Sequence, residues 1–466
     1  MRTTRSMTAT AVLTMAALAA GTGAVTAQSP SAMAPAATGY AELDQAMGAD
    51  QPFAGTKVSV QTQWIGGEGE NFAASVAAFE AATGIDIVVD SIGSSHETVL
   101  RTRIEGGAPP DLAMLAQPSA IIEYGKAGQL VDIATILDGA KLAAEHAATV
   151  GLYSTDASVW AIPYKVDVKS TIWYPIKAFE AAGYAVPTTY DELIALADQI
   201  VASGSAPFCI GMEAGTATGW QATDWLEDVV LRTAGVDVYN KWISHEIPFD
   251  SPEIMAAMEK VAQLWFTEGY VFGGNTAIVA TPQTQPMDPM FPTDGNWEGF
   301  TPGCWMQKQA TWYGPDFFPD QRTSGQPSQY VIGEDIGLFY FPEIDSAQGT
   351  PALGAGDALM VLADRPEVRA AAQYLSTPAG IEAWIAAGSA LSANQTTPAE
   401  WYAGNYKLEV ASGIVANATS FGFDASDLMP SVVGAGSFWT EMVNWIAAGG
   451  ADTQARLQAI DASWPQ

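Results

Sequence analysis

Few residues in this chain could carry covalent or metal chemistry. Its 466 residues include three histidines, His96, His146 and His245. A Ser-His-Asp triad needs one of them beside a serine on an elbow turn, and no GxSxG occurs. His245-Glu246 begins an HExxH pattern that lacks its second histidine. All three histidines therefore read as surface or capping residues. Cys209 and Cys304 are the two cysteines. In an oxidising compartment they read as one disulfide closing a long loop, with two buried free thiols as the alternative. No histidine stands at zinc-ligand spacing from either, so no metal or other cofactor is implied. The Gly66-Gly67-Glu68-Gly69 turn lacks both the GxGxxG spacing and the lysine of a phosphate-binding loop, and Glu68 and Glu70 would repel a pyrophosphate.

Carboxylates and indoles remain. Glycoside hydrolysis needs only two carboxylates, about 5–5.5 or 6.5–9.5 Å apart. Glu68 with Glu70, Glu213, and Asp224 with Glu227 and Asp228 are candidates, although Glu227 and Asp228 are expected to face solvent. Fifteen tryptophans say more, because several fall in loops. Trp64 ends the first strand, and Trp173 ends a second alternating run. Trp220 lies in a Gly- and Thr-rich segment, Trp305 adjoins Cys304, and Trp312 closes that loop. An indole face matches the C–H face of a pyranose, and its N–H can bond a hydroxyl. Trp384 and Trp445 sit on regular helical patterns and read as core.

The charge balance narrows the partners. With 51 acidic and 19 basic residues the formal net charge is -32. Nucleic acid and anionic lipid surfaces call for clustered Lys and Arg, so nucleic acid is a poor partner and anionic lipid is disfavoured. Neutral or cationic solutes suit this surface better. Arg2 and Arg5, an apolar stretch from Ala9 to Ala20 and the small-residue site Val25-Thr26-Ala27 read as a signal peptide, residues 1–27, cut near Ala27. Residues 28–55 read as a flexible leader.

The elements that must position these side chains alternate. Lys57–Gln63 has strand periodicity, Phe72, Val76 and Phe79 recur at helical spacing up to Gly84, and Ile85–Val89 is a second strand. A helix over 97–105 and the strand Leu112–Leu115 continue a βαβ pattern, which implies a parallel sheet flanked by helices. Val159–Pro163 and Lys165–Tyr174 are predicted strands. Thr189 with Glu192 forms a capping box. Strands are predicted at Glu334–Phe341 and Ala358–Leu362, with Gly354–Asp357 as the loop between them. The chain from 398 onward has a helical pattern. Two α/β lobes, with the chain crossing between them more than once, satisfy this order.

Several segments together resemble the extracellular solute-binding proteins of bacterial ABC import systems. They are KVSVQTQWIGGEGENFAASVAAFEAATGIDI, GGAPPDLAMLAQP, GQLVDI, VWAIPYKVDVKSTIWYPIKAFEAAGYAVPTTYDEL, PFCIGMEAG, WQATDWLEDVVLR, GCWMQKQA and GAGDALMVLADRPEVRAAAQYLSTPAG. The likeness covers nearly all of the chain after the leader. It is closest to the carbohydrate-binding group related to maltose-binding protein, and within that group to α-glucoside-binding proteins. The resemblance implies a two-lobe periplasmic-binding fold of type II, with parallel-sheet lobes and crossing hinge strands. Lobe one would hold 56–163 and 336–392, and lobe two 164–335 and 393–466. Projected onto this chain, the family's ligand loops fall at Trp64, Gly67, Glu68, Glu70, Asp111, Gln117 and Lys165. Lobe two supplies Trp173, Glu213, Trp220, Asp224 and Trp305, and Gly356 with Asp357 returns from lobe one. In this setting a Cys209–Cys304 disulfide would brace the loops bearing Glu213 and Trp305.

The reading that follows is a periplasmic, monomeric receptor that binds a neutral carbohydrate, an α-glucoside di- or oligosaccharide, and passes it to a membrane-embedded permease without altering it. A secreted glycoside hydrolase and a receptor for a polyol, amine or peptide are the rival readings.

Overall fold

Alternating apolar residues near the described N-terminus start the first of two sheets. The computed structural model describes residues 38–465; the signal-peptide reading and the leader through residue 37 lie outside them. The strands are β1 Lys57–Thr62, β2 Asp86–Ser91, β3 Leu112–Leu115, β4 Ile162–Val168 and β5 Thr171–Pro175. They continue as β6 Ala206–Phe208, β7 Cys304–Lys308, β8 Ile336–Tyr340, β9 Pro351–Val361, β10 Leu391–Ser392 and β11 Ser420–Phe423. One sheet runs β10-β4-β9-β3-β1-β2, with β11 also paired to β9, and the other runs β6-β7-β5-β8. β1 is parallel to β2 and β3, whereas β9 lies antiparallel to β3 and β4. The first sheet is therefore mixed. Each sheet packs helices around its own apolar core, giving a two-lobe fold.

The helix that follows β1 shows how the sequence places the site. Gly66, at φ 57, turns the chain out of β1, and the helix Gly67–Thr83 begins at once with Glu68 and Glu70 in its first turn. Carboxylates there oppose the positive end of the helix dipole. Phe72, Val76 and Phe79 face the core, and Gly84 ends the helix in the left-handed conformation that a side chain resists. The Thr189 and Glu192 capping box forms as read.

The run Lys165–Tyr174 is not one strand. It divides at Lys169-Ser170, leaving β4 in the first sheet and β5 in the second. A second crossing runs beside it: Lys169 N donates to Leu353 O at 2.8 Å, and Phe341 N to Ser170 O at 2.9 Å. β8 pairs with β5, so the chain returns to the first sheet only at β9 and not at residue 336. Gly354–Asp357 is part of β9 rather than a loop. A Cβ on Gly356 would lie 2.4 Å from the Lys165 carbonyl, so β4 and β9 can approach only over a glycine. The stretch 38–55, read as flexible, packs on the first lobe: it holds the short helix Ala41–Ala46, Tyr40, Leu43 and Ala46 are buried, and Leu43 N donates to Gln373 Oε1. The largely helical tail contains β11.

Burial corrects two further readings. His96 and His146 are buried; the ring of His96 meets Met114 O at 2.7 Å, and desolvation pulls its pKa down to about 4. Glu227 and Asp228 are 0% exposed, because the Trp220–Thr233 helix is packed on both faces.

Cys209 and Cys304 are bonded, closing 95 residues between β6 and β7. Cys209→Ser with Cys304→Ser should cost about 2–5 kcal/mol in urea unfolding. An unchanged unfolding midpoint would show that the crosslink constrains nothing.

Candidate ligand-binding cleft

The C-terminal ends of β1, β2 and β3 and the opposed loops of the second lobe enclose a cavity of about 350 Å³. In open α/β sheets this edge is where ligands bind, since strand ends leave backbone groups and helix N-termini free. Seven carboxyl side chains line the cavity, those of Glu68, Glu97, Asp167, Glu213, Asp357, Asp424 and Asp427, against the two ammonium groups of Lys165 and Lys169. An anionic solute would be repelled from it, whereas a neutral polyol or a cation would not.

Two buried lysines organise the acids. Lys165 Nζ lies 3.1 Å from Asp167, 3.2 Å from Glu68 and 3.5 Å from Asp357. Burial alone would strip its proton, but these three carboxylates hold its pKa above the ordinary lysine value. Burial pushes Glu68 up to about 7 despite the attraction of Lys165. Lys165 also stands 5.0 Å over the Trp384 ring, and Gln63 donates to Asp357. On the other side of the crossover, Lys169 Nζ bridges Asp224 at 2.7 Å and Asp424 at 2.5 Å, and it lies 4.9 Å over the Trp220 ring.

A deeper layer supports Lys169. Asp228 pairs with Arg232 and with Lys308, the latter at 3.3 Å, and accepts from Ser170 Oγ. Lys308 donates to the carbonyls of Lys169 and Asp224. Oxygens of Asp224, Glu227 and Asp424 lie within 4.8 Å of one another. The Lys169 ammonium bonds two of these acids, Asp224 and Asp424, and burial pushes the third, Glu227, toward its neutral form.

The aromatic wall is formed by Trp220, Trp312, Phe317 and Trp439. Trp220 and Trp312 have centroids 6.1 Å apart and planes inclined at 52°, so the two indoles touch and form one angled apolar wall.

Of the residues picked out by sequence, Trp64, Glu68, Gln117, Lys165, Glu213, Trp220, Gly356 and Asp357 line this cavity. Trp64 does so only at its margin, being packed on Phe72 and Trp384. Six do not line it. Trp173 is fully buried and its Nε1 donates to Gln309 O. Trp305, 3% exposed, packs on Phe179 and Tyr184 and donates to Ser205 Oγ. Both point from their strands into the second lobe's core, a choice of face that strand alternation leaves open. Asp111 stands at the opposite end of β3, bonded to Ser59 and Arg365. Glu70 is exposed on the far side of its helix turn. Gly67 abuts Asp316 of the second lobe. Asp224 lies behind Lys169, positioning it. Sequence reasoning missed Gln63, Glu97, Asp167, Lys169, Asp424, Asp427 and Trp439. Only the crossover position of Lys169, four residues after Lys165, offered a signal.

The lobes touch across the cleft. Thr216 Oγ1 donates to Ser94 O at 3.1 Å, and the Glu123 carboxylate accepts from Ser431 N at 3.0 Å and Oγ at 2.8 Å. Two α/β lobes closed on a polar cavity with an aromatic wall define a solute receptor of the type II periplasmic-binding fold. More particularly, the chain belongs to the bacterial extracellular solute-binding proteins, the family that matches residues 65–382.

Among its relatives, it is 35% identical over 415 residues to the alpha-glucosides-binding periplasmic protein AglE of Rhizobium meliloti (strain 1021), covering 87% of this chain and 86% of that one. It is 32% identical over 411 residues to the osmoprotective compounds-binding protein GgtB of Synechocystis sp., covering 88% and 93%. The raffinose complex of RafE, a protein of Streptococcus pneumoniae, superimposes with a TM-score of 0.67 at 19% identity over 88% of this chain and 98% of that one. The bacterial solute receptor AcbH does so with a TM-score of 0.72 at 16% identity over 87% and 98%. These structures share the fold. No helix among the described residues is long and apolar enough to cross a membrane.

Lys169→Ala would leave Asp224 and Asp424 buried without their cation. Denaturant unfolding should show a loss of about 3–5 kcal/mol; a loss below about 1 kcal/mol would mean the pairs contribute little.

Proposed function

We propose that this chain is an exported, monomeric receptor that captures a neutral carbohydrate of the α-glucoside class and delivers it to a membrane-embedded ABC import permease. The signal-peptide pattern ending near Ala27 accounts for the export. The observation that carries the ligand class is the pairing, in one cavity, of the Trp220–Trp312 wall with a ring of carboxyl and amide groups. Flat apolar faces take the C–H surface of a pyranose, and the polar ring takes its hydroxyls. The relative that binds alpha-glucosides supports this choice. The relative that binds osmoprotective compounds supports a second reading, in which the solute is a small polar osmoprotectant.

The mechanism is conformational. Each lobe holds half of the polar ring, the ligand bridges the halves, and contacts such as Glu123 with Ser431 form only when the lobes meet. Ligand therefore shifts the population toward the closed form. Lys165 and Lys169 hold the acids against the aromatic wall, and we infer binding without turnover, in preference to glycoside hydrolysis.

Calorimetry against maltose, trehalose, sucrose and glycine betaine tests the ligand class, with reducing-sugar release measured alongside. Binding of a glucoside without release is expected; steady release would make the protein a hydrolase, and binding of the betaine alone would remove the carbohydrate reading. Trp312→Ala should weaken glucoside binding by at least about tenfold. Trp305→Ala should leave affinity within about threefold and cost about 3–5 kcal/mol of stability. The reverse pattern would move the binding surface to Trp305.

A further inference from the structure

Asp427 lies in the short helix Ala425–Leu428, and its carboxyl opens on the cavity. Its neighbour Asp424 is fully engaged: one oxygen accepts from Asp427 N at 3.0 Å and from Ser426 Oγ at 2.8 Å, and the other pairs with Lys169. These bonds hold Asp424 ionised, below the usual carboxylate range in spite of its burial. Asp427 is 4% exposed and has no ion-pair partner among the described residues. It faces Asp424, Lys169 on the crossover, Asp224 on the Trp220–Thr233 helix, and Gln117 and Tyr153 from the first lobe, while Glu227 faces Asp424, Asp224 and the same Lys169. Four carboxyls thus crowd the ammonium of Lys169; Arg232 and Lys308 pair with Asp228, and of the four only Asp224 also feels Lys308. Keeping all four ionised would bury uncompensated charge at a cost of several kcal/mol per ion. The Gln117 side chain meets the Asp427 carboxyl, a contact that by itself favours the ionised form but is outweighed by burial; its Oε1 is buried, lines the same cavity and has no hydrogen-bond partner among the described residues.

We propose that Asp427 enters the cavity as a neutral carboxylic acid and donates a hydrogen bond to a ligand hydroxyl oxygen, while Gln117 Oε1 from the opposite lobe accepts a hydrogen bond from that same hydroxyl. This rests on the reading that the cavity takes a neutral polyol. The pair reads one hydroxyl in both directions and can do so only when the lobes are closed. Burial and the nearby negative charge of Asp424 raise the Asp427 carboxyl well above its ordinary value, in the direction that the geometry requires. The sign follows. At neutral pH the donor is present. As pH rises through the raised value the proton leaves, a donor becomes a bare buried anion, and affinity for a neutral sugar falls. A cationic ligand would behave oppositely.

Asp427→Asn keeps a donor of the same shape. With maltose as probe, its affinity at neutral pH should stay within about threefold of the parent, and the alkaline decline should disappear, whereas Asp427→Ala should lose at least about tenfold. A loss of tenfold or more in the Asn variant at neutral pH would show an ionised acceptor and overturn the proposal. Infrared spectroscopy of the ligand-free parent at neutral pH should show a carboxylic acid C=O band, weakened in Asp427→Asn and diminishing at alkaline pH. If that band is identical in the two proteins, the proposal fails whichever ligand binds. If maltose does not bind, the carbohydrate reading falls, and the infrared comparison alone decides the protonation state.

Discussion

Burying two lysine ammonium groups beside the crossover imposes the constraint on which this structure depends. An isolated ammonium in a protein interior costs several kcal/mol and ordinarily gives up its proton. Lys165 and Lys169 avoid this only because carboxyls from distant parts of the chain converge on them. Lys165 draws in Glu68 from the helix Gly67–Thr83 and Asp357 from β9, and Lys169 draws in Asp224 and Asp424 from the second lobe. The same ion pairs therefore join crossing strands, helix starts and strand ends, and they leave a polar surface facing the gap between the lobes.

That arrangement explains how a chain with so strong an acidic excess can hold a compact polar site. The acids at the cavity are not free to repel one another outward; some are paired with lysine, and burial pushes others toward the neutral form. The result is a set of directed donors and acceptors opposite a dry indole wall. A neutral hydroxylated ring satisfies both surfaces at once. A phosphate or carboxylate ligand would meet carboxyls with no arginine to answer it, since Arg103 and Arg322 are paired with Asp90 and Asp288 outside the cavity.

Much of this architecture was legible in the sequence, for local reasons. The first strand, the helix ended by Gly84, the Thr189 capping box and the segments that resemble solute-binding proteins rest on short-range patterns, and the Cys209–Cys304 bond on there being only two cysteines to pair. What was hidden is non-local. The break between β4 and β5 carries no Gly or Pro, so the alternation of Lys165–Tyr174 continues through a change of sheet. Glu227 and Asp228 look like a solvated helix face because, apart from Arg232 one turn on, the groups that meet them, Ser170, Lys308 and Ser426, come from distant segments. Trp173 and Trp305 occupy strands whose two faces the pattern cannot rank, and Trp439 sits in a helix that gives no hint of a cavity. Asp427 shows its role only once Lys169, Asp424 and Gln117 are brought around it.

The most direct test of the central claim is a crystal structure of the protein with a bound α-glucoside. The account predicts closed lobes with a sugar ring against Trp220 and Trp312 and its hydroxyls within hydrogen-bonding distance of Glu68, Asp357 or Asp427. A sugar bound elsewhere on the surface, with the Lys165 and Lys169 cavity holding no ligand, would contradict it.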